Sequence, residues 1–317
     1  MSLGEFELIA RYFAQQAPRA DVRLGIGDDA AVLDARADRK LVVAIDTIIA
    51  GVHFPEQLSA ADVGYRALAV NLSDLAAMGA QPSWFTLSLS IPTSDERWVE
   101  GFARGLFELA REHDVVLVGG DTVRGPLVVT VQIAGWVETD RWLTRGGARP
   151  GDALMISGVP GEAAGGLATI QRGMAETPAI ARLRQRFVRP MPRVTLGRQL
   201  RQCATAAMDI SDGLLTDLDK LCAASLCGAQ IDVETIPKSP DLAATFDETT
   251  CIDFALSGGD DYELLFTVPA ARAAELAALG CTQIGTMTSD RRIVCRRNGE
   301  IFQPRRRGYD HFGEDRS

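Results

Sequence analysis

The sequence predicts a two-domain α/β protein, and three observations support this prediction. The chain has 317 residues, which is enough for two domains of ordinary size. Short apolar strands, such as Ala153–Ser157, alternate with helical segments through its second half, and Ser83–Ile91 in the first half alternates apolar and polar residues as a half-covered strand does. A stretch rich in Gly, Arg and Pro at residues 143–152 separates this half from the first. We therefore predict an N-terminal domain over residues 1–140 and a C-terminal α/β domain over residues 150–317.

The composition is that of an ordinary globular protein, with 46% apolar and 24% charged residues. No apolar run reaches the length of a membrane span, and the N-terminus lacks the pattern of a signal peptide, so we expect a cytoplasmic protein without membrane contact. The six cysteines form no pair of Cys-x-x-Cys motifs and are expected to be reduced thiols. The net charge of −9 argues against binding to nucleic acid. A phosphorylated substrate would need cations to offset the carboxylates.

Two adjacent carboxylates, Asp28 and Asp29, follow the glycines of the stretch Gly25-Ile26-Gly27. Glycine lets a ligand approach the backbone closely. Neighbouring carboxylates repel each other, and both ionise fully only beside a cation. This pair therefore indicates a hard divalent metal such as Mg²⁺, which prefers oxygen ligands. A solvated acidic turn is the alternative interpretation.

Further acids are expected where apolar strands end. The strand Leu41–Ile45 is predicted to be buried and to end at Asp46, and a second strand, Val115–Val118, to end at Gly119-Gly120-Asp121. Strand ends in α/β folds line ligand clefts. Glycine N–H groups can also cradle phosphate oxygens, although hairpins use the same residues.

The second half repeats this pattern. A short strand ends at Asp209, after which Ser211 and Asp212 open a helix, and Asp260 and Asp261 precede the strand Leu264–Val268. The helix dipole favours an acid at the position of Asp212 even without a function, but it does not account for Asp209 or Ser211.

The best predicted helix of the first half runs from Asp62, as N-cap, to Met78. Asn71 and Asp74 share one face of this largely apolar helix. Buried polar groups need partners, so this face is expected to meet a partner or an ion, with a solvent-facing edge as the equal alternative. His53, one of three histidines, is open to a functional role or to an ordinary packed position.

Taken together, the acids point to several divalent cations. The set is Asp28, Asp29, Asp46, Asp74, Asp121, Asp209, Asp212, Asp260 and Asp261. The chain has no Gly-x-x-x-x-Gly-Lys-Ser/Thr loop and no kinase catalytic-loop signature. A nucleotide enzyme of this kind would rely on metals, which is compatible with phosphoryl transfer. Arg145 is a candidate phosphate clamp or a solvated linker arginine.

The motifs, in this order, resemble those of the thiamine-monophosphate kinases of the aminoimidazole-ribonucleotide-synthetase superfamily. The likeness covers nearly the whole chain. The matching segments are Gly4-Glu5-Phe6, Gly25-Ile26-Gly27-Asp28-Asp29, Asp46-Thr47, Gly51-Val52-His53-Phe54, Asn71-Leu72-Ser73-Asp74, Gly119-Gly120-Asp121, Leu143-Thr144-Arg145, Met208-Asp209-Ile210-Ser211-Asp212-Gly213-Leu214, Ser257-Gly258-Gly259-Asp260-Asp261-Tyr262-Glu263 and Gly308-Tyr309-Asp310-His311-Phe312.

The resemblance implies ATP-dependent conversion of thiamine monophosphate to thiamine diphosphate by direct phosphoryl transfer. It also implies a synthetase-like α+β fold in which residues 1–140 bind ATP and metal and form the dimer. The N-terminal mixed sheets of the homodimer would pair, and the C-terminal domain would close each site. The implied Mg²⁺ ligands are Asp29, Asp46, Asp74, Asp121, Asp209 and Asp212, to which the acidic turn adds Asp28. The implied ATP contacts are Asp29, Gly120, Asp121, Arg145 and Ser211. The implied contacts to thiamine phosphate are His53, Asp260 and Tyr309.

Two residues depart from the family pattern. Ile45 stands where the family usually has Ser or Thr, so one metal would be held more weakly or by the main chain. Asp260 stands where Glu is usual, so its carboxylate must reach the substrate with one carbon less.

Three alternatives stay open at this point. Selenophosphate synthetase uses an N-terminal Cys or selenocysteine, whereas the first cysteine here is Cys203. Aminoimidazole-ribonucleotide synthetase is the second. A non-catalytic regulator that binds Mg-nucleotide is the third, and it belongs to a different functional class.

Overall fold

The computed structural model describes residues 5–14, 19–305 and 308. Its helices are α1 (Glu5–Leu8), α2 (Ala60–Ala77), α3 (Glu96–Glu112), α4 (Glu162–Gln171), α5 (Pro178–Val188), α6 (Val194–Leu200), α7 (Leu214–Ser225), α8 (Pro240–Thr245), α9 (Glu248–Ser257) and α10 (Ala273–Ala277). Its strands are β1 (Val22–Leu24), β2 (Val32–Leu33), β3 (Arg39–Ile49), β4 (Gln81–Ile91), β5 (Val116–Arg124), β6 (Val128–Glu138), β7 (Ala153–Ser157), β8 (Ala206–Asp209), β9 (Gly228–Asp232), β10 (Leu264–Val268), β11 (Cys281–Thr288), β12 (Ile293–Arg297) and β13 (Glu300–Phe302).

The chain forms two compact units. The first comprises residues 1–75 and 80–141, and the second comprises residues 76–79 and 142–317. The mixed α/β class predicted from the sequence is confirmed. The assignment of ATP binding and dimerisation to residues 1–140 stays a prediction. Among the described residues, the longest apolar helices fall short of what crossing a bilayer requires.

The first unit is built on a four-stranded mixed sheet with the order β3-β6-β4-β5. Strand β4 alternates as predicted, since Phe85, Leu87 and Leu89 are buried while Ser88 is exposed. One face of the sheet carries helix α2. The other face leaves Leu41, Val43 and Ile45 of β3 exposed at 47%, 50% and 63%. Such a row of exposed apolar side chains is unusual for a free surface.

Three local predictions in this unit were wrong. Strand β3 does not end at Asp46, because Thr47, Ile48 and Ile49 continue its antiparallel pairing with β6. It is also not buried throughout, since the side chains named above are exposed. Strand β5 likewise continues through Asp121 to Arg124.

The third error concerns helix α2. It begins at Ala60 rather than at Asp62, and the Oγ of Ser59 accepts the N–H of Asp62 at 3.2 Å, which makes Ser59 the capping residue.

The second unit is built on a seven-stranded mixed sheet with the order β13-β12-β9-β11-β7-β10-β8. Strands β7 and β10 have the predicted bounds and are buried along their whole length. Helix α7 packs Leu214, Leu218 and Leu221 into the core of this unit. Helices α5, α8 and α9 were not predicted, since short helices between longer ones carry little periodic signal.

All six cysteines are free thiols. Burial raises the pKa of Cys222 to about 12 and the pKa of Cys295 to about 11. Burial also raises the pKa of Cys281 to about 11. These three side chains are therefore protonated packing groups at neutral pH, as the sequence indicated.

Candidate active site

In the first unit, Asp46 of β3 lies beside the polar face of α2. The backbone N–H of Asp46 donates to Oδ1 of Asn71 at 3.0 Å, and Nδ2 of Asn71 donates to the carbonyl of Ala67 at 3.0 Å. Asn71 is fully buried, so its partner is the strand rather than solvent or an ion. Asp74 lies one turn further along the same face and is half-buried. Asn71 thus ties Asp46 to the helix that carries Asp74.

Asp121 lies on the opposite edge of the same sheet. Strands β6 and β4 separate β3 from β5, so three strand spacings, about 14 Å, lie between Asp46 and Asp121. Asp121 is exposed and is paired in register with Ser88. The structure therefore does not bring these two acids together within one sheet.

The Gly119-Gly120 pair leaves the backbone before Asp121 open to a ligand. A Cβ at Gly119 would meet no atom within 4 Å. Gly120 has φ +152°, and a Cβ there would collide with the backbone of Leu87. Gly120 is therefore needed for close packing against Leu87, and Gly119 leaves the main chain accessible to a ligand.

Asp28 and Asp29 lie in the connection between β1 and β2 and are both exposed. The N–H of Asp29 donates to Oδ1 of Asp28 at 2.9 Å. His53 is half-buried, and its Nδ1 accepts the N–H of Ile49 at 3.1 Å. This bond fixes the ring in the turn that follows β3.

In the second unit, β8 ends at Asp209, which is 5% exposed, and leads through Ser211, Asp212 and Gly213 into α7. The predicted strand end is confirmed at this position. Lys220 of α7 pairs with Asp212, with 2.5 Å between Nζ and Oδ2. Burial lowers the pKa of Lys220, but its hydrogen bonds to Asp212 and Asp217 outweigh burial and raise that pKa overall.

The segment with Asp260 is bonded directly to the segment with Ser211. The N–H of Asp260 donates to the carbonyl of Ser211 at 2.8 Å, and the N–H of Tyr262 donates to the carbonyl of Ile210 at 2.8 Å. The hydroxyl of Tyr262 donates to Oδ1 of Asp260 at 3.2 Å. Asp260 has φ +69°, a left-handed backbone that is uncommon outside glycine. The structure therefore brings together two of the predicted binding segments.

Asp261 has a structural role. Its carboxylate accepts the N–H of Gly161 at 2.7 Å and the N–H of Ala163 at 3.3 Å, at the start of α4. Burial raises the pKa of Asp261 well above its usual range, against these two hydrogen bonds. The second Asp-Asp pair of the sequence thus caps a helix with one member and leaves the other, Asp260, for the site.

Arg145 lies away from Ser211 and Asp212, and Tyr309 lies outside the described residues. The backbone of Arg145 accepts a hydrogen bond from Ser225 at 2.9 Å, at the opposite end of α7 from Asp212. Helix α7 has 12 residues, so its length of about 18 Å separates the backbone of Arg145 from Asp212. Gly308, the neighbour of Tyr309, is described, and a Cβ there would collide with Asp212 and Thr216.

The acids predicted to bind metal, together with Ser211, have the chemistry that magnesium prefers. Their donor atoms are all carboxylate or hydroxyl oxygens, and Mg²⁺ typically takes one or two carboxylates and completes its shell with waters and substrate phosphates. Within residues 5–14, 19–305 and 308, no three His, Cys, Asp or Glu side chains lie close enough to hold a metal ion by themselves. A role for these acids as metal ligands stays a prediction.

Sequence reasoning missed Asp217, Lys220, Arg193 and Glu263. Glu263 is 6% exposed and pairs with Arg193, whose Nε lies 2.7 Å from its Oε2. Asp217 is fully buried. A signal for Asp217 was present, since an acid stands among Leu214, Leu218 and Leu221 on the apolar face of α7.

Comparison with known proteins identifies the family. Residues 27–137 match the N-terminal domain and residues 149–298 the C-terminal domain of AIR synthase related proteins. The chain is 47% identical to the thiamine-monophosphate kinase of Escherichia coli K12, over 98% of this chain and 99% of that protein.

Two solved structures are similar. Thiamine-monophosphate kinase from Stenotrophomonas maltophilia K279a has a TM-score of 0.87 at 46% identity and covers 95% of this chain and 99% of its own. AaThiL complexed with AMPPCP and TMP has a TM-score of 0.80 at 32% identity and covers 90% of this chain and 92% of its own. The chain therefore belongs to the thiamine-monophosphate kinase family of AIR synthase related proteins.

Proposed function

We propose that this chain transfers the γ-phosphoryl group of ATP to thiamine monophosphate and forms thiamine diphosphate. The observation that carries this function is the 47% identity to a thiamine-monophosphate kinase over nearly the full length of both proteins. A solved relative with an ATP analogue and TMP bound supports the same pair of substrates. The segments that implied this function in the sequence include two that the second unit joins by backbone hydrogen bonds, at Ser211 and Asp260.

The proposed metal ligands are Asp28, Asp29, Asp46, Asp74, Asp121, Asp209 and Asp212. Bound Mg²⁺ would neutralise the negative charge that separates ATP from a phosphorylated acceptor. Ser211, Gly120, Asp121, Asp29 and Arg145 are the proposed ATP contacts. Arg145 and Ser211 lie near opposite ends of α7, so they would contact different parts of the nucleotide.

No general base is assigned. The acceptor is itself a phosphate with a second pKa of about 6, so it is largely ionised at neutral pH. The residues of the site need only to bind and align two anions for in-line attack.

A coupled assay of ADP release tests the function. We expect ADP release to depend on thiamine monophosphate and to match the thiamine diphosphate formed. ADP release with the acceptor of aminoimidazole-ribonucleotide synthetase, or formation of selenophosphate and AMP from selenide and ATP, would assign another reaction of the superfamily if thiamine monophosphate gives no ADP. ATP binding without ADP release would favour a regulator.

His53 and Tyr309 are proposed to line the thiamine phosphate pocket with Asp260. We expect His53→Ala to raise KM for thiamine monophosphate about tenfold, the loss of roughly one charge-assisted hydrogen bond, and to change KM for ATP less than twofold. We expect Tyr309→Ala to have the same pattern. Initial rates at varied concentrations of each substrate measure this, with His113→Ala in α3's C-cap as the control. A larger effect on KM for ATP would move these residues to the nucleotide site.

A homodimer is proposed, in which the exposed faces of two four-stranded sheets meet. The row of Leu41, Val43 and Ile45 supports this, since removing such side chains from water favours association. Asp46 and Asp121 lie on opposite edges of one sheet. Joining two sheets is an arrangement that could bring acids from both edges to one triphosphate.

We expect Ile45→Glu to give a monomer with little turnover, because a carboxylate would be buried without a partner in the dimer. Ile301→Glu is the matched control, since Ile301 has nearly the same exposure, 65% against 63%, on β13 of the second unit. Sedimentation velocity and the ADP assay measure both effects. A dimeric Ile45→Glu protein would show that this face is not the interface.

We further propose a cytoplasmic location. Free thiols at all six cysteines are consistent with a reducing compartment. ATP as co-substrate supports the same assignment.

A further inference from the structure

The buried carboxylate of Asp217 holds the segment that carries Ser211 and Asp212. Its Oδ2 accepts three consecutive backbone N–H groups, from Ser211 at 2.9 Å, Asp212 at 2.9 Å and Gly213 at 3.2 Å. Asp217 itself is 0% exposed. Hydrogen bonds to an ionised acceptor are about twice as strong as neutral ones. The three N–H groups of residues 211–213, which we name the Asp212 loop, thus all donate to a single oxygen atom.

Lys220 extends this anchor to the side chain of Asp212. Its Nζ lies 2.7 Å from Oδ1 of Asp217 and 2.5 Å from Oδ2 of Asp212. One ammonium group therefore joins the buried carboxylate of Asp217 to the half-buried carboxylate of Asp212. Both the backbone and one side chain of the Asp212 loop are held by the first two turns of α7.

This arrangement changes how the loop can bind a nucleotide. Consecutive N–H groups next to a glycine commonly form a concave anion site that takes a phosphate. Here the three N–H groups already donate to Asp217. The loop is therefore left with the hydroxyl of Ser211 and the carboxylate of Asp212 for contacts to ATP and its metal.

Stability alone does not account for an acid at position 217. The neighbouring residues on this face of α7, Leu214, Leu218 and Leu221, are apolar and packed in the core. Burying a carboxylate carries a desolvation cost, and apolar replacement of buried ion pairs is often neutral or stabilising. The feature that an apolar residue could not reproduce is the fixed geometry of the Asp212 loop.

We propose that Asp217 is a positioning residue for phosphoryl transfer, which presets Ser211 and Asp212 for ATP through the loop backbone and through Lys220. This inference rests on the proposed function. It assigns a role to a residue that touches neither substrate.

The test compares Asp217→Ala with Asp219→Ala in the full chain. Asp219 is an exposed acid two residues away on the same helix, so its replacement removes the same charge without touching the loop. In Asp217→Ala we expect hydrogen exchange of the amides of residues 211–213 to be at least about tenfold faster, because their acceptor is gone. We expect Asp219→Ala to exchange like the wild type.

Kinetics and binding separate positioning from mere support of the fold. In Asp217→Ala we expect kcat to fall about 100-fold and the affinity for a non-hydrolysable ATP analogue with Mg²⁺ to fall about tenfold. KM for thiamine monophosphate should stay within about twofold, since Asp217 bonds to no proposed contact of that substrate.

Asp217→Asn is the second variant, because it keeps the volume and one acceptor oxygen but cannot pair with Lys220. We expect amide exchange, kcat and the affinity for the ATP analogue to change in the same direction as in Asp217→Ala, but by less. Unchanged amide exchange at 211–213 in either folded variant would overturn the proposal. Faster exchange with unchanged kcat and analogue affinity would also overturn it, as would the absence of cooperative unfolding in both variants. Failure of the proposed function is distinguishable, because it would show as a wild-type protein that makes no thiamine diphosphate.

Discussion

Replacing Asp209 or Asp121 with Asn is expected to lower kcat by at least about 100-fold, the usual cost of removing one group that stabilises charge in a transition state. Asn keeps the shape of the side chain and removes the negative charge that a divalent cation requires. Asp209 ends a buried strand, and Asp121 follows a glycine pair that leaves the backbone open. The loss should therefore fall on turnover rather than on folding.

Matched controls are Asp219→Asn in the second unit and Asp140→Asn in the first, both exposed acids away from the proposed ligands. Asp140 has φ +61°, which Asn tolerates well. The coupled ADP assay measures kcat, and circular dichroism reports the fold. Near wild-type turnover in Asp209→Asn and Asp121→Asn would remove both acids from the mechanism.

Replacing Arg193 with Met is expected to lower the free energy of unfolding by about 3 kcal/mol, since breaking a buried ion pair leaves an uncompensated charge. Glu263 is 6% exposed and lies 2.7 Å from Nε of Arg193. The hydroxyl of Ser157 also donates to Glu263 and accepts the N–H of Leu264 at 2.8 Å. Burial lowers the pKa of Arg193, but Glu263 outweighs burial and raises it overall.

The control for this variant is Arg182→Met. Arg182 pairs with Asp241 at 2.6 Å, but its side chain is 63% exposed, so we expect a loss below about 1 kcal/mol. Urea unfolding measures both variants. Adding Glu263→Gln to Arg193→Met should recover part of the stability, because it removes the buried carboxylate that has lost its Arg193 partner. Equal losses for Arg193→Met and Arg182→Met would show that the buried pair contributes no more to the free energy of unfolding than the exposed pair does.

The sequence predicted local features well where one residue pattern decided the outcome. The alternation in β4 and the unbroken apolar runs of β7 and β10 predicted strands correctly. A strand buried on one face alternates apolar and polar residues, whereas a strand buried on both faces is apolar throughout. Gly119 and Gly120 marked an open backbone, and Asp209 marked a strand end.

The sequence could not predict features that depend on pairing between distant segments. Asp46 looked like a strand end because its charge interrupts an apolar run, yet eleven pairs with β6 keep it inside β3. Likewise the edge positions of Asp46 and Asp121 follow from strand order, which no local pattern encodes. Tyr309 lies outside the described residues, so its contact to thiamine phosphate stays a prediction.

The polar partners inside the site were also beyond local pattern. Asn71 could face solvent, an ion or a partner, and only the fold shows that it accepts the N–H of Asp46. Residue type and position alone did not distinguish Asp260 from Asp261, and only the family resemblance named Asp260 as a substrate contact. The structure separates them, because Asp261 caps α4 while Asp260 lies on the segment bonded to Ser211.

The most direct test of a metal-assisted site counts divalent ions. Mn²⁺ can replace Mg²⁺ at oxygen-donor sites, and equilibrium dialysis with electron paramagnetic resonance measures its bound stoichiometry. With a non-hydrolysable ATP analogue and thiamine monophosphate present, we predict that Asp209→Asn and Asp121→Asn each bind at least one Mn²⁺ fewer per chain than the wild type. Unchanged stoichiometry in both variants would contradict the assignment of these acids as metal ligands.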